Sequence, residues 1–368
     1  MAEEDKVIGC DCIIPTKSRR NWSELRLELL ELILKRLALV DMARFELVSL
    51  SWYAAAKSYI SSPVNYKPLV PQTPWLLLPR ERIDVGRFFS LSEKTVYTIR
   101  NLFEGFAGER QRCLIGSSYG WLVTKDVDYR IHLHNPISGV RIILPPLEFC
   151  IILRVFLSSV PSWSNTFYVV AIYYMTKEGS KIAFHKHGDH DGNNNTAWTD
   201  LGSVDGAFDR ILSNLFVLDS ESISVWDFRR TNPIKTCMDF QPPEREVRQH
   251  SYQLYLVESQ GELLFVEKLM NPIFGQFYYD ERCLVLSAYE PAASTSLSTL
   301  DFPELEANSI YVTQEESTLL QGNHQLYSKV EAYNLENKGF KTIFTSEVYR
   351  RGTLHSPLLW IVPNPCKV

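Results

Sequence analysis

Apolar and polar positions follow two different rhythms along this chain. Between 22 and 56 (WSELRLELLELILKRLALVDMARFELVSLSWYAAA) the rhythm is helical, in two apolar runs parted by a polar break at Asp41. In the first run Glu28, Glu31 and Lys35 recur at helical spacing and form a narrow polar stripe. Leu25, Leu27, Leu29, Leu30, Leu32, Ile33, Leu34 and Leu37 fill nearly everything else. A surface helix needs an apolar stripe on one side only. This one is apolar around most of its circumference, which predicts burial on two sides.

The next segment offers Phe45, Leu47, Val48 and Trp52, enough to cover one of those sides. A unit of about forty residues seldom buries enough surface to be stable alone, and a large uncovered apolar face marks a binding surface. The pattern predicts a small helical docking module that completes its core on a partner. Ser23, Asp41 and Ser51 are the expected helix caps.

Residues 61–79 carry Pro63, Pro68, Pro71, Pro74 and Pro79, a density that disallows a continuous helix and predicts a stiff, extended spacer. Beyond it the rhythm changes to β-branched and aromatic runs broken by Gly, Asn and Asp. Strands are expected at 121–124, 130–134, 140–144, 167–174, 181–185, 222–228, 254–258, 263–267, 276–279, 309–313 and 330–335, with no three-turn amphipathic helix between them. Short strands with regular turn signals predict an all-β sandwich or propeller. A weak repeat favours the propeller. The runs at 131–135, 224–228 and 331–335 each lead into a polar turn, roughly a hundred residues apart, or two blades at about 40–50 residues each. The roughly 290 residues after the spacer then make about six blades.

At this point two resemblances enter. The helical stretch resembles an F-box, through Leu25, Leu29, Leu30, Ile33, Leu34 and Leu37, continued by Asp41, Arg44, Phe45, Val48 and Trp52. The family's usual proline is replaced here by Arg26 and its usual cysteine by Ser49. The β region resembles the C-terminal domain of a large plant F-box family, regarded as a β-propeller. The matching motifs are PWLLLP at 74–79, FFSLS at 88–92, IGSSYGWL at 115–122, LHNPISG at 133–139, LPP at 144–146, FPEL at 302–305, NSIY at 308–311 and WIVP at 360–363. They occur in the family's order.

The resemblance implies a fold and a role. The expected fold is a small all-α F-box module followed by an all-β domain, a β-propeller of about six blades. The expected boundaries are a tail at 1–20, the F-box at 21–60, the spacer at 61–79 and the propeller at 80–368. The implied role is that of a non-catalytic substrate-recognition subunit of an SCF ubiquitin ligase. Leu25, Leu29, Leu30, Ile33, Val48 and Trp52 would dock a Skp1-like adaptor, and through it cullin and a RING subunit. The β domain would hold a target protein for ubiquitination. An interaction module without ligase role is the alternative.

Composition narrows the setting. The 368 residues hold no run of about eighteen apolar residues and no basic-then-apolar start, so neither a membrane span nor a secretory signal is expected. Seven cysteines without a Cys-x-x-Cys read as reduced thiols, hence nucleus or cytoplasm. A net charge of −5 gives no support for nucleic-acid binding.

Two constellations could carry chemistry. Gly116-Ser117-Ser118-Tyr119-Gly120 fits G-x-S-x-G, the nucleophile elbow of a serine hydrolase, but the residues after Gly120 read as a strand where that chemistry needs a helix. His185 and His187 alternate out of a strand and could share a zinc ion with Asp189 or His190, although a solvated hairpin tip has the same composition. No catalytic, cofactor or metal residue is assigned, and no cofactor is expected.

Overall fold

A computed structural model describes residues 22–61, 72–78, 85–102, 113–148, 150–161, 166–188, 197–204, 207–211, 214–218, 222–228, 233–239, 251–259, 262–270, 302–320, 323–337, 339–346, 349–350 and 359–363. Three helices come first: α1 (Leu27–Leu34), α2 (Leu39–Glu46) and α3 (Leu50–Ser61), preceded by a 3-10 turn at Trp22–Glu24. All-β structure follows. None of the described helices is long and apolar enough to cross a membrane.

The helix ends differ from the expected caps. Ser23 lies inside the 3-10 turn, and α1 starts after Arg26, an extended residue with no side-chain capping bond. Asp41 sits in the first turn of α2, after Ala38 at its cap position, where its charge still suits the helix dipole. Ser49 caps α3: its Oγ accepts from the Trp52 N–H at 3.3 Å and its carbonyl from the Tyr53 N–H at 2.9 Å. Ser51 instead donates to the Ser23 carbonyl at 2.7 Å, and Trp52 Nε1–H to the Trp22 carbonyl at 2.9 Å, hooking the 3-10 turn onto α3. The core of this unit is Leu30, Leu34, Met42, Phe45, Ala55, Ala56, Tyr59 and Ile60. Ala55 and Ala56 lack bulk, so α3 can come close to both other helices.

Four regular four-stranded antiparallel sheets form the blades of a propeller-like domain. The first pairs Leu359–Ile361 with Trp75–Leu77, then Val85–Ser90 and Thr95–Arg100. The second runs Cys113–Ser118, Trp121–Lys125, Arg130–His134, Arg141–Pro146. The third runs Ile151–Leu157, Phe167–Met175, Gly179–His187, Thr199–Ser203, and the fourth Ala207–Ile211, Asn214–Leu218, Ser222–Asp227, Ile234–Asp239. A hairpin of Ser251–Ser259 with Glu262–Met270 follows. Last come Ser309–Leu320, Asn323–Asn334 and Phe340–Thr345, with Tyr349–Arg350 also on the middle strand. The expectation of an all-β propeller-like domain holds; six complete blades are not seen among the described residues.

One feature departs from the expected boundaries and two explain the repeat. Trp75–Leu77, placed in the spacer by its flanking prolines, is a fully buried strand. Pro74 and Pro79 bracket it without interrupting its ladder. It bonds to the C-terminal strand Leu359–Ile361, which joins the two ends of the domain and covers an edge. Asn135 and Asn334 close equivalent turns. The Oδ1 of Asn135 accepts from the N–H groups of Ile137 and Ser138, and that of Asn334 from those of Glu336 and Asn337. The strand expected at 276–279 lies outside the described residues.

Side chains from neighbouring sheets fill the spaces between them. Trp121, Val123, Ile131 and Leu133 of the second sheet pack with Val155, Leu157, Val169 and Ala171 of the third. Ser117 Oγ donates to the Trp360 carbonyl at 2.5 Å, tying the second sheet to the first.

Candidate functional site

The helical unit leaves many of its large apolar side chains exposed. Trp22, Leu27, Leu29, Leu32, Leu47, Val48, Leu50 and Tyr53 are all exposed, Leu47 at 86% and Leu50 at 88%. Their placement follows from the helix geometry. On α1, Leu30 and Leu34, one turn apart, face the core, which turns Leu29 and Leu32 outward, while Leu27, on the core side one turn before Leu30, is exposed at the first residue of the helix. Leu47, Val48 and Leu50 occupy the corner between α2 and α3, where the chain reverses. Trp22 reaches the same corner because Trp52 holds its carbonyl. Trp52 itself is half-buried, its ring 4.4 Å from that of Phe45.

Of the six residues expected to dock a partner, two are exposed, three are half-buried and one is core. Leu29 and Val48 are exposed. Leu25, Ile33 and Trp52 are half-buried and pack against the unit's core. Leu30 is 2% exposed and belongs wholly to that core, so it supports the face from beneath and does not present a surface. Leu47 and Leu50, the two most exposed, were not among the six. They lie at a turn, where helical spacing assigns no side.

Two ion pairs accompany these apolar residues. Arg26 pairs with Glu28 at 3.3 Å, and Lys57 pairs with Glu46 at 2.9 Å while resting over the Tyr53 ring. Exposed pairs of this kind add little to stability. Arg44 donates to Asp41 Oδ1 at 2.8 Å, a bond that raises its already high pKa.

The two chemical constellations resolve differently. Ser118 ends one strand and Trp121 begins the next, so Tyr119 and Gly120, both at positive φ, make a two-residue hairpin turn. Ser118 Oγ accepts from the Leu157 N–H at 3.1 Å. The nucleophile elbow requires strand, turn and helix; here a strand follows, and the hydrolase reading is dropped. His185 and His187 stand 6.3 Å apart by ring centroid, with Trp198 at 5.8 Å from His185. Asp189 and His190 lie outside the described residues, and no cluster of three His, Cys, Asp or Glu is found among those described. Burial holds the His185 imidazole below its usual pKa, keeping it neutral among aromatic neighbours. Asp126 and His132 form a buried pair at 2.7 Å. Burial alone would push the Asp126 carboxyl up, but bonds from His132 and the Arg130 and Asp128 N–H groups outweigh it and hold the pKa down. That arrangement organises a turn.

The described tryptophans of the β region are mostly structural. Trp75, Trp121 and Trp226 are buried. Trp198 is half-buried and donates to the Pro145 carbonyl at 3.1 Å.

Comparison with known proteins agrees with this architecture. Residues 88–334 match the family described as the KIB1-4 beta-propeller. The chain belongs to that family. The resemblance to plant F-box proteins with a C-terminal propeller is thereby borne out. F-box protein KIB2 of Arabidopsis thaliana is 36% identical over 127 residues, and F-box/kelch-repeat protein KIB1 of the same plant 37% identical over 131. These matches cover 33% and 34% of this chain but only 27% and 32% of the relatives' own lengths. Another Arabidopsis thaliana F-box protein is 22% identical over 347 residues, 82% of this chain and 87% of its own. Among solved structures, the N-terminal domain of Nup159 superposes with a TM-score of 0.30 at 10% identity, over 80% of this chain and 82% of that one.

Proposed function

We propose that this chain is the substrate-recognition subunit of an SCF ubiquitin ligase. The helical unit, expected at 21–60, docks a Skp1-like adaptor, which brings cullin and the RING subunit. The domain expected at 80–368, a propeller of about six blades, holds a target protein. The observation that carries this reading is the uncovered apolar face of Trp22, Leu27, Leu29, Leu32, Leu47, Val48, Leu50 and Tyr53 on so small a unit. Burying such side chains on a partner is worth about 25 cal/mol per Å², and large aromatic and apolar anchors suit a hot-spot interface.

Catalysis in such a complex is by proximity, raising the effective concentration of a target lysine near a ubiquitin-loaded enzyme. This chain contributes no reacting group. The complex works in the nucleus or cytoplasm, a setting supported by the unpatterned cysteines alone.

The test is co-purification of the full chain with Skp1 and cullin, followed by reconstituted ubiquitin transfer onto a captured partner. Leu47→Glu with Leu50→Glu abolishes co-purification while the far-ultraviolet spectrum stays that of a folded chain. Skp1 binding without ubiquitin transfer would instead favour a plain interaction module, an option kept open by Arg26 and Ser49 at the two departures from the F-box pattern.

A further inference from the structure

Leu39 opens α2 yet takes no part in the core of the helical unit. It is 8% exposed and clusters with Trp75, Leu77, Phe88, Leu359 and Ile361 of the first sheet. Val40 packs against the same cluster. The first N–H groups of any helix lack partners within it. That of Leu39 donates to Gln72 Oε1 at 2.9 Å, just before the first strand. Five residues further along α2, Arg44 lies 3.5 Å from Glu93 Oε2, in the turn between Val85–Ser90 and Thr95–Arg100. The same oxygen accepts from the Tyr97 hydroxyl at 2.5 Å, and the Tyr97 ring stacks on Trp75 at 5.2 Å. Burial and the Glu93 carboxylate push that hydroxyl's pKa up to about 12, so it stays a donor at every physiological pH.

We infer that α2 is bolted to the first sheet at a fixed angle by Leu39, Gln72 and the Arg44–Glu93–Tyr97 chain, and that these are positioning residues for the propeller. A single apolar anchor would leave a hinge. The second apolar contact from Val40 and the hydrogen bond at Leu39 itself restrain the rotation, and the exposed Arg44–Glu93 pair, five residues on, adds a weak third contact. The face of Leu47 and Leu50 at the far end of α2 is then held in one direction relative to the sheets, without depending on the prolines between the two units. The consequence for target presentation rests on the adaptor reading, because transfer by proximity is sensitive to where the target is held.

The joint is testable without any partner. Spin labels placed at Ser58 on α3 and Thr98 on the first sheet, through a non-canonical amino acid that leaves the native cysteines alone, report the distance between the units in the full chain. The unaltered chain and Leu39→Met give one narrow distance distribution; Leu39→Asp broadens it several-fold. Gln72→Ala combined with Arg44→Ala, which inserts no charge into the core, broadens it to a smaller degree while the propeller melts at its usual temperature. A broad distribution in the unaltered chain, or variants as narrow as it, overturns the joint. Skp1 is absent from this measurement, so a chain that never binds Skp1 still gives the narrow distribution if the joint exists.

Discussion

The helical unit and the second sheet are both rich in large apolar residues, and they dispose of them in opposite ways. In the second sheet Trp121, Leu122, Val123, Ile131 and Leu133 are all fully buried, covered by neighbouring sheets of the same chain. In the helical unit Leu30, Leu34 and Met42 are covered, while Leu27, Leu32, Leu47 and Leu50 are not. A propeller supplies its own neighbours, blade against blade, and closes through the pairing of Leu359–Ile361 with Trp75–Leu77. Three short helices cannot surround α1. The same driving force therefore builds a fold in one region and leaves large apolar side chains exposed in the other.

Substitutions can separate the two uses. Trp121→Ala should have the largest effect on the free chain, about 3–5 kcal/mol, since nothing but the core surrounds that ring. Denaturant unfolding followed by circular dichroism measures it, and Skp1 binding by the surviving folded fraction should be unchanged. Leu30→Ala should cost the helical unit about 2–5 kcal/mol. Leu50→Ala, by contrast, should shift the free chain's stability by no more than about 0.5 kcal/mol while weakening Skp1 binding by about 2 kcal/mol or more. Equal effects of the two leucines on both stability and binding would erase the distinction between core and face.

Gly86→Ala should cost about 1–3 kcal/mol by overpacking, because an added Cβ would overlap Leu102 Cδ2 and lie 2.9 Å from Phe88 Cε2. A lowered melting temperature with unchanged helix content checks it. The smallest effect is a pH dependence. With the His185 pKa depressed by burial, the unfolded chain takes up a proton first as pH falls below about 6.5. The stability tied to neutral His185 is present above that pH and is lost as pH falls through the folded-state pKa. His185→Phe should flatten the fall in melting temperature between about pH 7 and 5. Asp126, whose pKa is lowered, loses its contribution only in more acid solution.

The middle strands of the second and third sheets were legible in the sequence, as was the edge strand Arg141–Pro146, while the edge strands Cys113–Ser118, Ile151–Leu157 and Thr199–Ser203 were not. Trp121–Lys125 and Phe167–Met175 are nearly continuous apolar runs with turn residues beside them. Thr199–Ser203 and Phe340–Thr345 face solvent along most of their length, so no alternation survives to mark them. Trp75–Leu77 was hidden by the prolines on either side, which describe the chain around the strand and not the strand. In the helical unit the sequence showed more apolar surface than the unit can bury, but not which residues lie beneath. Leu30 and Leu29 are neighbours of one residue type, and only the position of α3 decides that the first is core and the second surface. Leu39 was one leucine among many until its contact with Gln72 and the first sheet set it apart.

Calorimetric titration of the full chain with Skp1 at several temperatures bears most directly on the claim that the uncovered helical face is a docking site. The account predicts saturable binding with a negative heat-capacity change, the mark of apolar burial, and its loss in Leu47→Glu with Leu50→Glu. Absence of binding, or binding of undiminished strength by that double variant, would contradict it.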